Sequence, residues 1–144
     1  MSDKILGLLG LMRRANAVDI GETNSGAAVR SGKTKLLLLA SDASDNARRR
    51  AETFVFGHRT ILLTLPYTKA DISGSVGVSG CSMAAVTDMG FANALMKALA
   101  AADNEKYGSI ANEVEGRFLK TESRKKKRPA REIQEERYKE EKHI

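Results

Sequence analysis

Tryptophan is absent, and three Tyr with four Phe make up the whole aromatic complement. That is too few for a surface whose main device is stacking bases on rings. The single cysteine, Cys81, excludes an intrachain disulfide and a cysteine-built metal site. His58 lies in a turn-like Gly-His-Arg and His143 near the last residue, with no ligand spacing around either. No metal or cofactor is therefore expected. Long apolar runs are missing too: the stretch from Ile5 to Met12 is too short and too periodic for a signal peptide or a membrane span, which needs about 20 apolar residues. A reducing, cytoplasmic setting is the expectation.

Charge is abundant but unevenly placed. Of 24 basic and 18 acidic side chains in 144 residues, positions 1–116 hold 13 and 12, net +1, while positions 117–144 hold 11 and 6, net +5. The basic character belongs mainly to a tail, and the length suits one domain plus that tail. The expected division is a folded domain over residues 1–103 and a charged, partly helical or disordered tail over residues 104–144.

Along the chain, helix and strand patterns alternate. Ile5, Leu8, Leu9 and Met12 fall at i, i+3, i+4 and i+7, one face of an amphipathic helix. Val18 and Ile20 offer a short strand, Gly21 opens a helix that Gly32 closes, and Leu36 to Leu39 is apolar without interruption, as in a strand covered on both faces. Ser41 to Asp45 supplies capping side chains for a helix turning Ala47, Ala51, Phe54 and Val55 inward and leaving Arg48, Arg49 and Arg50 outside. Thr60 to Leu65 reads as a strand that Pro66 breaks, and Thr68 with Asp71 as a capping box. Met83 to Val86 is the last strand, and Asp88 caps a helix whose stripe is Phe91, Ala94, Leu95, Ala98, Leu99 and Ala102. Five helices around four strands predict an α/β fold, a three-layer α/β/α sandwich with a central four-stranded mixed sheet. Past Asp103, Ile110, Val114 and Phe118 suggest one more amphipathic turn or two, against the cost of Gly108 and Gly116.

Two nucleotide motifs fail on register. Gly32-Lys33-Thr34 resembles the end of a P-loop, but the first glycine of that motif would fall at Ala27, and the segment leads into a strand instead of a helix. The turn after Ile20 lacks the Gly-x-Gly-x-x-Gly of a dinucleotide fold. No nucleophile and base stand in a recognisable arrangement, so an enzyme is not expected. What remains is the glycine-led helix start at Gly21, whose unpaired amides and positive dipole end suit a phosphate or a base edge. The run Arg124, Lys125, Lys126, Lys127, Arg128 with Arg131 reads as nucleic-acid contacts, because clustered cations repel unless a polyanion neutralises them.

The segments Lys4 to Ala15, Gly21, Ala28 to Ser44 and Ala85 to Ala92 resemble the bacterial YlxQ family, part of the kink-turn RNA-binding superfamily of archaeal ribosomal protein L-seven-Ae. The likeness covers roughly residues 3–102 in one register. It implies an α/β/α sandwich with RNA, ribosomal or otherwise structured, against the start of the second helix and the loop before the last strand. Carried across residue by residue, the implied RNA contacts are Gly21, Glu22, Thr23 and Asn24, with Val78, Ser79, Gly80, Cys81 and Ser82 from the loop and Lys33 and Lys35 flanking the same surface. The ribosomal members carry Asn-Glu where this chain has Thr23-Asn24, and lysine where it has Ala27. The alternative function is a protein-interaction module that docks on a ribosome-associated factor without recognising RNA.

Overall fold

The amphipathic period from Ile5 to Met12 becomes α1 (Lys4–Arg14), begun by Asp3, whose carboxylate accepts the amides of Ile5 and Leu6. In the computed structural model, which describes residues 3–126, there follow β1 (Val18–Ile20), α2 (Glu22–Arg30), β2 (Leu36–Leu39), α3 (Asp45–Val55), β3 (Ile61–Thr64), α4 (Lys69–Val76), β4 (Met83–Val86), α5 (Met89–Ala102) and α6 (Asn104–Lys126). Each expected cap is formed. Ser44 accepts the Ala47 amide, Thr68 and Asp71 complete the capping box, and Asp88 accepts the Phe91 amide.

The strands form one mixed sheet in the order β1-β4-β2-β3. β4 is antiparallel to both of its neighbours, while β2 and β3 run parallel through the α3 crossover. Every residue of β2 and β4 is buried, because both strands are central and both sheet faces are covered. Side chains alternate between two cores as the strand period of two requires. Leu36, Leu38, Ala84 and Val86 join Leu9, Met12, Leu95 and Leu99 on one face. Leu37, Leu39, Met83 and Ala85 join Val29, Ala47 and Ala51 on the other. The α/β/α sandwich with its four-stranded mixed sheet is thus the fold observed.

Past Asp103 there is far more helix than one turn or two. α6 runs for 23 residues and passes through both Gly108 and Gly116. Each glycine costs a helix about 1 kcal/mol relative to alanine. Tyr107 and Val114 are each 2% exposed in the core, and burying a large side chain gains about 1.5–3 kcal/mol, so packing against α5 outweighs propensity. The Tyr107 hydroxyl also donates to the Thr64 carbonyl at the end of β3 (3.1 Å). The core accordingly continues beyond Asp103 as far as Val114.

Candidate nucleic-acid interface

Between β1 and α2 the chain must leave the sheet and enter a helix within one residue. Gly21 makes that turn at φ 94° and ψ 163°, a region that only glycine enters without strain. Its N–H donates to the Met83 carbonyl at 2.9 Å, and Ile20 stands opposite Ala84 in the β1–β4 ladder. These contacts hold the start of α2 beside the loop that leads into β4. With glycine as N-cap, no side chain caps the first turn, so its amides keep their partial positive charge.

Thr23 and Asn24 are exposed at this end. Asn24 Nδ2 donates to the Ile20 carbonyl at 3.0 Å. A carbonyl only accepts, so the amide is oriented by its partner and Oδ1 is left as an acceptor for a ligand. Glu22 is paired with Arg50 of α3 at 2.9 Å, which offsets its negative charge at the rim. Arg50 shares a shallow surface with Asn46, Arg49, Thr53 and Phe54. This basic flank escaped the sequence reading; its one signal was the run Arg48 to Arg50. Arg48 is not simply solvated, since its guanidinium donates to the Thr64 hydroxyl (3.3 Å) and the Ser41 carbonyl (3.2 Å).

In the loop before β4, Ser79 and Gly80 are exposed, Val78 and Ser82 are half-buried, and Val78 packs on the core. Cys81 departs from its expected place on the contact surface. It is only 3% exposed, its amide donates to Ser73 Oγ (3.0 Å) and its thiol reaches the Met83 carbonyl (3.5 Å). Burial raises the thiol pKa, opposed by hydrogen bonds with the backbone of Met83 and Gly21. A small, weakly polar side chain is most at home in the core, and Cys81 joins the core that holds Ile72 and Val76 of α4.

Lys33 and Lys35 do not flank this end, which corrects their expected position. The nine residues of α2 rise about 13 Å in all, and the turn at Gly32 carries both lysines to the opposite rim. There the Lys35 amide donates to the Val86 carbonyl, at the far end of β4 from Met83. Arg124 of α6 shares a cleft with Lys35 at that rim. Lys125 is paired with Glu122 at 3.4 Å, Lys126 is the last residue of α6, and Lys127, Arg128 and Arg131 lie outside the described residues. Among the described residues, no helix is long and apolar enough to cross a membrane.

No family model matches the chain. It is similar to the RNA-binding protein YlxQ of Bacillus subtilis (strain 168), at 34% identity over 96 residues that span 64% of this chain and 91% of that protein. It is also similar to a solved structure from Bacillus halodurans, titled as that of a protein with unknown function. That likeness has a TM-score of 0.62 at 25% identity and covers 67% of this chain and 97% of the other.

Proposed function

The chain belongs to the YlxQ family, and from that premise we propose that it is a non-enzymatic, cytoplasmic RNA-binding protein that recognises ribosomal or other structured RNA of kink-turn type. The observation that carries this reading is the hydrogen bond from Gly21 to Met83, which joins the uncapped start of α2 to the loop over 78–82. First-turn amides and Asn24 Oδ1 then face one ligand, with Thr23 and Ser79 beside them. The amides suit a phosphate or a base acceptor, and Asn24 Oδ1 suits an exocyclic amino group or a 2′-hydroxyl. Arg49 supplies a cation on the flank that Ala27, uncharged, does not, while Arg50 neutralises Glu22. The basic tail residues Lys127, Arg128 and Arg131 add affinity that depends on salt and not on sequence.

Anisotropy titrations of full-length protein against a kink-turn RNA, a plain duplex and a kink-disrupted version test the reading. The kink-turn should bind tenfold or more tighter, about 1.4 kcal/mol, and Asn24→Ala should narrow that ratio. Equal affinity for all three RNAs would sink it. One observation favours the second reading, a protein-docking module: a groove between α1 and α5 is lined by Leu8, Leu11, Ala94, Ala98 and Ala101, and Leu11 is 46% exposed. Absence of RNA binding above that of an unrelated basic protein would favour it.

A further inference from the structure

At the rim opposite Gly21, the turn after α2, the loop after α3 and the C-terminal half of α6 enclose a cleft of about 250 Å³. Six of its lining side chains are Lys35, His58, Arg59, Arg117, Lys120 and Arg124, and none of the lining residues is acidic. Arg117, Lys120 and Arg124 come from one face of α6 at i, i+3 and i+7; Lys35 and Arg59 stand just before β2 and β3. We propose that this cleft is a second RNA contact, built for the phosphodiester backbone and separate from the surface at Gly21. It rests on the reading that the protein binds RNA, but not on kink-turn recognition.

Three features distinguish the cleft from a solvated basic face. Arg117 is a clasp: one guanidinium nitrogen donates to the Arg59 carbonyl (2.8 Å) and the other to Glu113 (2.8 Å), so α6 is drawn onto the loop and the cleft has walls. Among the described residues, Lys35, Arg59, Lys120 and Arg124 have no carboxylate within ion-pair distance. In the wall, Thr34 is only 6% exposed, and its buried hydroxyl has no hydrogen-bond partner among the described residues.

Two further features favour a polynucleotide over a small anion. Phe56 is 86% exposed and lies two residues before His58, offering a ring to an unpaired base. The outer face of α2 connects the two rims through Thr23, Ala27 and Arg30, all exposed, so one RNA can touch both ends of the helix. The backbone contact at the cleft supplies affinity, and the Gly21 rim is left to discriminate shape.

The test uses full-length protein with Lys35→Gln, Arg59→Gln and Lys120→Gln combined, titrated with kink-turn and plain duplex RNA at several salt concentrations. Each lost phosphate contact lowers the slope of log K against log salt by about 0.7–0.9, so the slope should fall by about two, with both RNAs weakened alike and their ratio kept. An unchanged slope in a folded variant overturns the proposal. Lys120→Gln alone, at an exposed position, should lower the slope by about one if the triple variant fails to fold; no fall overturns it too. Amide resonances of Lys35, Arg59 and Lys120 should move with RNA at micromolar concentration but not with equimolar inorganic pyrophosphate, whereas pyrophosphate saturating the cleft where RNA leaves it unmoved would overturn the RNA assignment. Asn24→Ala separates the two readings, since a kink preference it leaves intact counts against the Gly21 surface while the triple variant's slope still decides the cleft.

Discussion

Replacing Gly21 by alanine would put a Cβ on backbone at φ 94° with no atom within 4 Å of it, so the cost is conformational and not a clash. A loss of about 1–3 kcal/mol is expected, read as a lower urea midpoint at constant m-value. Asp3 and Tyr67 make a second local device, with the phenol donating to Asp3 Oδ2 at 2.7 Å. That hydrogen bond holds the Asp3 pKa below its ordinary 3.8, with the Ile5 and Leu6 amides acting in the same direction and desolvation against them. The native state therefore binds this proton less readily than the unfolded chain, and the contribution is present above pH 3.8 and lost as pH falls through the lower native value. Tyr67→Phe should flatten that acid limb in urea titrations between pH 5 and 2, ranges chosen about the carboxylate's ordinary value. Cys81 works at the other end of the scale. Burial lifts its thiol above the ordinary 9.0, so stability is full below 9.0 and erodes as pH climbs past it, because the unfolded thiol ionises first. Cys81→Ser should remove this alkaline erosion, and native Cys81 should react with a thiol reagent far more slowly than the unfolded protein.

Between elements, two glycines of α1 form a matched pair. A Cβ at Gly10 would stand 2.9 Å from the Ser75 carbonyl oxygen, a backbone atom of α4, whereas one at Gly7 meets nothing within 4 Å. Gly10→Ala should force α1 from α4 and cost about 1–3 kcal/mol. Gly7→Ala should be neutral or stabilise by up to about 1 kcal/mol through helix propensity; thermal midpoints of the two variants measure the difference. α6 poses the sharper element-scale question, because its sequence reads as marginal helix. Tyr107→Phe should cost about 1 kcal/mol for the lost bond to Thr64. Tyr107→Ala should cost about 3–5 kcal/mol if packing on α5 is what sustains the helix, and hydrogen exchange should then accelerate through α6 more than through α5. Since Arg117 ties this helix to the Arg59 loop, loosening α6 should also loosen the basic cleft.

Across the molecule, charge should divide the proposed RNA binding into separable parts. Neutralising Lys127, Arg128 and Arg131 to Gln should lower the salt slope by up to about two to three, at about 0.7–0.9 per lost contact, without moving the thermal midpoint. The fold carrying these charges was legible in the chain because its signals are local: the apolar run from Leu36 to Leu39, the Thr68–Asp71 box and the glycine stop at Gly32 each declare an element within a few residues. The glycine start at Gly21 was legible for the same reason. The remaining features were not, since they join residues far apart in sequence. Glu22 meets Arg50 across 28 positions and Arg117 meets the Arg59 carbonyl across 58, and neither pairing leaves a periodic trace. The resemblance implied that Lys33 and Lys35 flank the Gly21 surface, yet the length of α2 carries them to the other rim. Neighbouring residues alone dictate which segments up to Ala102 are helix and strand and that a glycine must open α2, because backbone conformation and amphipathic period are local. Only the tertiary structure decided which cations gather, that Cys81 turns inward and that α6 persists through two glycines, because these depend on what each surface meets after the chain has folded.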